Sequence, residues 1–175
     1  MWNRVPTFAN LKSMGQHTAA VITVSTGIAA GKRTDASGQI LRDGLSFLGL
    51  QVSDGGVIPD DRLKIQRSIL RHCDFENRSL LVFTGGTGPT PDDVTTQAII
   101  PFLERRYNGI ENALLEDGRK STPRAPMSRC IVGTRGQSAI IALPGSPGAC
   151  KDALQTLAPL MTHLLSLSAG ALDPH

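Results

Sequence analysis

Glycine and hydroxyl residues follow the most strand-like segment of the chain and form a candidate anion-binding loop. Residues 80–83 are a short apolar run, and Thr84, Gly85, Gly86, Thr87 and Gly88 come directly after it. Glycine adopts φ values that are closed to other residues, so several backbone N–H groups of such a loop are able to point at one anion. The start of a following helix would add positive potential. An ordinary tight turn is the alternative, but this order of features favours a loop that holds the phosphate of a small molecule.

Two aspartates are candidate ligands for a metal ion beside that phosphate. Asp60 follows a strand-like segment at residues 52–58, and Asp93 follows the glycine loop. Each aspartate also has a simpler interpretation as a helix cap. A carboxylate beside an anion repels it unless a divalent cation lies between them, and Mg²⁺ binds one or two carboxylates together with phosphate oxygens. The pair is therefore predicted to bind magnesium.

A third segment imitates a phosphate-binding P-loop without matching it. Residues 27–34, GIAAGKRT, have one residue too few between the glycines, and Arg33 stands where serine or threonine is required. Two interpretations of Lys32 and Arg33 stay open. They are either solvated loop charges or cations that approach a phosphate from the side.

Apolar periodicity and turn residues predict the elements that position these side chains. Strands are predicted at residues 19–24, 52–58, 80–83, 130–133 and 138–143, and helices around residues 41–48, 65–73, 94–102 and 110–115 and after Ser146. Residues 25–38 and the basic stretch 118–124 are predicted loops. This order implies an α/β fold of three layers, in which a mostly parallel sheet with one antiparallel edge element lies between helices.

The predicted loops converge on one edge of that sheet. Ligands of open α/β sheets bind beyond the carboxyl ends of the strands, and the loops at Ser25, Asp60, Thr84 and Pro144 all follow apolar strands. We therefore expect one active site there. Its candidate substrate-binding residues outside the glycine loop include Ser25, Thr26, Pro144, Gly145, Ser146 and Gly148.

Length and composition limit the remaining possibilities. The 175 residues, 40% of them hydrophobic, suit one domain, predicted at residues 18–169 between a flexible arm (1–17) and a short tail (170–175). No segment reaches the roughly 18 to 20 apolar residues of a membrane span, and no secretory core is visible, so a cytoplasmic protein without membrane contact is expected. The net charge of +3 is scattered and aromatic residues are few, which argues against nucleic-acid binding. Three widely spaced cysteines indicate reduced thiols.

Four motifs in order make the chain similar to the MogA/MoaB family of molybdenum cofactor proteins. They are TDASG at residues 34–38, PDD at 59–61, TGGTG at 84–88 with Asp93, and PGSPG at 144–148, and the resemblance covers residues 18–168. It implies a MogA/MoaB fold, a homotrimer and the adenylylation of molybdopterin by Mg-ATP with release of pyrophosphate, followed by hand-over to a molybdenum insertase. It also implies that Asp60 and Asp93 are the essential acidic pair, that TGGTG holds the molybdopterin phosphate, and that Ser37, Gly38 and residues 144–148 line the pocket.

One departure from the family pattern supports a second hypothesis. Asp92 stands where the family usually has arginine, and residues 88–93, GPTPDD, resemble the CinA-type domain, which implies ADP-ribose pyrophosphatase activity. Thr87, where that domain usually has leucine, and the motifs at 35–38 and 144–148 favour MogA/MoaB instead. A third hypothesis is a molybdopterin-binding or assembly protein without catalysis.

Overall fold

A six-stranded sheet forms the centre of the computed structural model, which describes Met14 and residues 16–170. Its strands are β1 (Thr18–Val24), β2 (Gln51–Ile58), β3 (Leu80–Thr84), β4 (Arg105–Arg106), β5 (Ile131–Arg135) and β6 (Ser138–Leu143). Their spatial order is β2-β1-β3-β6-β5-β4. β2, β1, β3 and β6 run parallel, whereas β5 is antiparallel to β6 and to β4. The prediction of a mostly parallel sheet with an antiparallel edge is confirmed.

Six α-helices of the described residues surround the sheet. They are α1 (Thr26–Ala29), α2 (Ala36–Phe47), α3 (Arg62–Ile69), α4 (Thr95–Ile99), α5 (Asn108–Ser121) and α6 (Pro147–Ser168). A π-helical turn, Leu70–Phe75, extends α3, and 3₁₀ turns follow α4 (Ile100–Phe102) and precede β5 (Ala125–Met127). The side chains of Asp35, Asp61 and Ser146 cap α2, α3 and α6 by accepting hydrogen bonds from free backbone N–H groups.

Alternating residues of the strands feed two hydrophobic clusters, one on each face of the sheet. In β1, Ala19 and Val21 belong to the first cluster with residues of α2, α5 and α6, and Ala20 and Ile22 belong to the second with residues of α3 and α4. Burial on both faces is typical of parallel strands that helices cover. Each fully buried aliphatic side chain contributes about 1.5 to 3 kcal/mol. This arrangement confirms the three predicted layers.

The ends of the predicted domain are only partly described. Met14 is buried in the first cluster, although it belongs to the predicted arm. Residues 1–13, residue 15 and the tail at 171–175 lie outside the described residues. None of the helices in the described part of the chain is long and apolar enough to cross a membrane.

Two local predictions were wrong, and one strand was missed. Residues 25–38 are not a continuous loop, because Ser25 caps the short helix α1 by accepting a hydrogen bond from the N–H of Ile28, and α2 begins at Ala36. Gly118 to Ser121 are the last turn of α5, where Lys120 pairs with Asp117 and cations are favoured by the helix dipole. β4 was missed, since two residues carry no periodicity.

Candidate functional site

A cavity of about 450 Å³ lies at the carboxyl ends of β1, β3 and β6. Parallel pairing of β1 with β3 and of β3 with β6 places these three ends side by side. The lining residues that the sequence predicted are Ser25, Asp60, Thr84, Gly85, Gly86, Thr87, Gly88, Asp93, Pro144, Gly145 and Ser146. All four predicted loops therefore meet at one edge of the sheet.

Two consecutive glycines of the TGGTG loop have backbone conformations that L side chains rarely adopt. The φ angles of Gly85 and Gly86 are 95° and 63°. A Cβ on Gly85 would collide with the carbonyl oxygen of Val24, and one on Gly86 would collide with Oγ1 of Thr95. Thr95 fixes the turn, because its N–H donates to the Gly86 carbonyl (2.9 Å) and its hydroxyl donates to the Gly85 carbonyl (2.8 Å).

The N–H groups of this loop are not all free to bind an anion. The N–H of Gly85 donates to the carbonyl of Leu143 on β6 at 3.0 Å. The N–H groups of Gly86 and Thr87 have no acceptor among the described residues and remain available. The helix predicted at residues 94–102 is present as α4 and the 3₁₀ turn after it, but α4 has only five residues and residues 89–94 separate it from the loop. Any anion-binding capacity of the loop therefore rests on its own N–H groups.

Asp60 is held at the side of the TGGTG loop. The N–H and the hydroxyl of Thr26 both donate to its Oδ2 at 2.8 Å, and its Oδ1 would lie 3.0 Å from a Cβ on Gly86. Within the described residues, Oδ1 accepts no hydrogen bond. The N-terminus of α3 is capped by Asp61, whose carboxylate accepts from the N–H of Lys64. The interpretation of Asp60 as that cap was therefore wrong.

Asp93 borders the other end of the same loop. Its Oδ2 accepts from the N–H (2.9 Å) and the hydroxyl (2.6 Å) of Thr90 and would lie 2.7 Å from a Cβ on Gly88. Burial acts to raise the pKa of Asp93, but the hydrogen bonds from Thr90 and Gly88 and the charge of Arg129 outweigh it and lower the pKa. Val94 occupies the N-cap position of α4, which has no side-chain cap. Asp93 is thus an ionised carboxylate facing the loop and not a helix cap.

Four predicted site residues, among them Thr26, do not line the smaller cavity. Ser37 and Gly38 are buried at the start of α2 and do not line the cavity. The hydroxyl of Ser37 donates to the Gly145 carbonyl at 2.8 Å, so Ser37 positions the loop that follows β6. Gly148 is exposed and lines a second cavity. Substrate contact by these three residues stays a prediction, as does contact by Thr26, which holds Asp60.

Several residues of the site were missed from the sequence. Ile28, Met127 and Ser128 line the cavity, and Arg129 contacts the glycine loop without lining the cavity. Arg33 also lines the cavity, so the open interpretation that it approaches a ligand from the side stays a prediction. The guanidinium of Arg129 donates to the carbonyls of Gly88 (2.6 Å) and Asp93 (2.7 Å), which fixes the whole segment between them. Residues 127–129 reach this edge because β5 is antiparallel, so that its beginning and not its end lies beside the site. The antiparallel edge element predicted from the sequence was the signal that could have placed these residues at the site.

A second cavity of about 720 Å³ adjoins the first. It lies between α5, the 3₁₀ turn before β5 and the start of α6, and it shares Ser128, Pro144 and Ser146 with the smaller cavity. Its walls combine apolar residues such as Leu114 and Leu143 with charged ones such as Arg129. The smaller cavity contains both candidate aspartates and is the candidate functional site, and the larger cavity adjoins it.

The described cysteines, histidines and carboxylates do not form a metal site by themselves. Cys73, Cys130 and Cys150 are free thiols, as predicted. In the described part of the chain, no three His, Cys, Asp or Glu side chains lie close enough together to hold a metal ion. Asp60 and Asp93 contribute only two ligands, so a metal between them needs further oxygen ligands from a substrate or from water.

Comparison with known proteins identifies relatives of this arrangement. Residues 20–163 match the family described as the probable molybdopterin binding domain. The molybdopterin adenylyltransferase of Helicobacter pylori J99 is 30% identical over 86% of this chain and 86% of its own length. The molybdenum cofactor biosynthesis bifunctional protein of Chlorobaculum tepidum is 36% identical over 86% of this chain. The chain spans about half the length of that relative, 48%.

Solved structures agree with the sequence comparison. The molybdopterin biosynthesis enzyme MoaB of Thermus thermophilus superposes with a TM-score of 0.83 at 31% identity, over 89% of this chain and 98% of that one. The protein CinA of Thermoplasma acidophilum, with unknown function, superposes with a TM-score of 0.63 at 25% identity, over 82% of this chain and 97% of that one. The chain therefore belongs to the probable molybdopterin binding domain family, together with MoaB and MogA.

Proposed function

We propose that this protein acts in molybdenum cofactor biosynthesis and transfers the adenylyl group of ATP to molybdopterin. The observation that carries the proposal is the position of two carboxylates, Asp60 against Gly86 and Asp93 against Gly88, on either side of one glycine loop. Family membership and the adenylyltransferase relative in Helicobacter pylori support the choice of substrates.

The reaction requires positioning of the reactants and neutralisation of their charge more than it requires proton transfer. The terminal phosphate of molybdopterin is already an anionic nucleophile. One of its oxygens forms a bond to the α-phosphorus of ATP, while the bond from that phosphorus to the bridging oxygen breaks and pyrophosphate leaves. Holding the two phosphates in line supplies most of the catalysis in such transfers. The free N–H groups of Gly86 and Thr87 are suited to hold the nucleophilic phosphate.

The residues present fit a magnesium ion. Asp60 keeps Oδ1 free of hydrogen bonds from the described residues, Asp93 is ionised, and hard oxygen ligands together with phosphate oxygens are the set that Mg²⁺ prefers. A bound Mg²⁺ would neutralise charge on the phosphoryl oxygens. Thr26 and Thr90 orient the two carboxylates, and Oδ1 of Asp60 stays available for it.

Two adjoining cavities favour a reaction between two substrates over hydrolysis of one. The smaller cavity contains the TGGTG loop and both aspartates, which suit phosphate groups with a metal ion, and the larger cavity has apolar walls that suit a ring system. The CinA-type alternative rests on residues 88–93, but the structural match to CinA is weaker than the match to MoaB. The homotrimer and the hand-over to a molybdenum insertase belong to the same proposal, and sedimentation velocity tests the trimer.

Purified protein incubated with molybdopterin, ATP and Mg²⁺ is expected to form adenylyl-molybdopterin and pyrophosphate. Asp60→Asn and Asp93→Asn should each lower turnover by about 100-fold or more, the scale seen when a group that stabilises transition-state charge is lost. Affinity for molybdopterin should change by less than about threefold, since the N–H groups of the loop remain. Asp92→Asn removes an exposed carboxylate next to Asp93 and serves as the matched control, with turnover close to wild type.

The same assay separates the alternative functions. Cleavage of ADP-ribose without adenylylation would establish the pyrophosphatase hypothesis. Tight molybdopterin binding without any turnover would establish a binding or assembly protein. Wild-type rates in both Asp60→Asn and Asp93→Asn would refute the role given to the acidic pair.

A further inference from the structure

The side chain of Arg33 is exposed and lines the smaller cavity. Its guanidinium donates a hydrogen bond to Oγ of Ser25 at 3.3 Å, and Ser25 also caps α1. A Cβ on Gly27 would lie 3.2 Å from one terminal nitrogen and 3.4 Å from Nε of Arg33. The guanidinium therefore lies directly over Gly27, which has no side chain to displace it.

Among the described residues that line this cavity, Arg33 is the one positive charge beside two negative charges. Asp60 and Asp93 place two carboxylates in the lining, and Arg33 is the one cationic side chain among the described lining residues. It forms no ion pair within the described part of the chain, in contrast to Arg42, Arg106 and Arg135, which pair with carboxylates. Its charge is consequently available to a ligand.

Arg129, the other nearby cation, is not available in this way. Two of its contacts are to the carbonyls of Gly88 and Asp93, and it does not line the smaller cavity. Lys32, the neighbour of Arg33, is exposed and does not line the cavity either. Of the described residues, Arg33 is thus the cation positioned to meet an anion that enters beside the TGGTG loop.

We propose that Arg33 is a substrate-binding residue that contacts the phosphate oxygens of a ligand held by the TGGTG loop. The planar guanidinium offers paired donors that match phosphate geometry, and it lies against Gly27 while one of its nitrogens donates to Ser25. The identity of the ligand rests on the function proposed above: either the phosphate monoester of molybdopterin or the phosphates of ATP present this chemistry.

Binding without turnover tests the proposal independently of the reaction. Isothermal titration with molybdopterin alone and with Mg-ATP alone should show that Arg33→Gln weakens one of the two affinities by about tenfold, the scale of one charge-assisted contact. Arg33→Lys should keep the positive charge but lose the paired donors of the guanidinium, so its affinity should lie between those of wild type and Arg33→Gln. Lys32→Gln removes the same charge one residue away and should bind both ligands within about twofold of wild type.

Two further measurements separate a direct contact from a damaged loop. Adenosine, which has no phosphate, should bind Arg33→Gln as it binds wild type, and the salt dependence of phosphate-ligand binding should be shallower in Arg33→Gln. A loss for molybdopterin assigns Arg33 to the pterin phosphate, and a loss for ATP assigns it to the nucleotide. Unchanged affinity for both, or an equal loss for adenosine, would overturn the proposal. Failure of the wild-type protein to form adenylyl-molybdopterin, with these affinities intact, would refute the proposed reaction but not the role of Arg33.

Discussion

Arg129 should be among the most important side chains for the stability of the site, although it does not line the smaller cavity. Its guanidinium donates to the carbonyls of Gly88 and Asp93 at 2.6 and 2.7 Å, and the side chain is half-buried. Hydrogen bonds from a charged donor contribute about 1.5 to 3 kcal/mol each. Arg129→Gln cannot reach both carbonyls, so the two contacts are lost together.

The expected loss follows from these two contacts and their partial exposure. Their sum is about 3 to 6 kcal/mol, and entry of water to the freed carbonyls offsets a part, which leaves a decrease of about 2 to 4 kcal/mol in the free energy of unfolding. Arg129→Lys keeps one donor group and should lose about half as much. Urea denaturation monitored by circular dichroism measures both, and an unchanged m-value shows that the unfolded state is comparable.

A surface arginine supplies the control. Arg119→Gln removes an exposed guanidinium from the last turn of α5 and should cost less than about 1 kcal/mol. Molybdopterin affinity should fall in Arg129→Gln and stay unchanged in Arg119→Gln, because only the first frees residues 88–93. A decrease below about 0.5 kcal/mol for Arg129→Gln would refute the bracing role, since it lies within the ordinary range of surface substitutions.

Two further predictions concern α3 and its extension. Asp61→Ala removes the cap of α3 and should lower the free energy of unfolding by about 1 kcal/mol in urea denaturation, with turnover retained. Asp60→Asn should instead lower turnover and leave the free energy of unfolding nearly unchanged. A turnover loss in Asp61→Ala would show that the two roles are misassigned. Hydrogen bonds from Arg71, together with Arg78 and His72, lower the pKa of Glu76 to about 2, below its unfolded value of about 4.3. The stabilisation is thus present above about pH 4 and lost as the pH falls through about 2, so the stability difference between wild type and Glu76→Gln, followed by urea denaturation against pH, should vanish in that window. A difference independent of pH would contradict the ion-pair explanation.

The sequence predicted what depends on neighbouring residues and failed where distant contacts decide. The apolar runs at residues 19–24 and 138–143 became strands, because their burial on both faces leaves a continuous apolar pattern. Asp60 and Asp61 are adjacent and equally suited to cap α3, and only the contact of Asp60 with Thr26, far away in the chain, separates their roles. The role of each carboxylate could therefore not be predicted from its position in the sequence.

The same limit explains the residues of the site that were missed. A loop that follows a strand reaches the ligand edge in the case of β1, β3 and β6, as the sequence predicts. β5 is reversed, so the residues before it, Met127 and Ser128, reach the ligand edge. The tight turn at Gly136, whose φ is 53°, reverses the chain between β5 and β6. The position of β5 in the sheet depends on its pairing with β6, which is a tertiary contact.

The position of β6 beside β3 has a consequence during synthesis on the ribosome. β3 and its TGGTG loop emerge from the ribosome long before β6. The carbonyl of Leu143 in β6 accepts the hydrogen bond of Gly85, and the carbonyl of the next residue, Pro144, accepts that of Thr84. Until β6 emerges, one side of β3 is an open edge with unpaired backbone groups, the kind of surface that joins other chains. The nascent protein thus passes through an interval in which the TGGTG loop lacks its contacts with residues 143–144 and one edge of β3 is open to other chains.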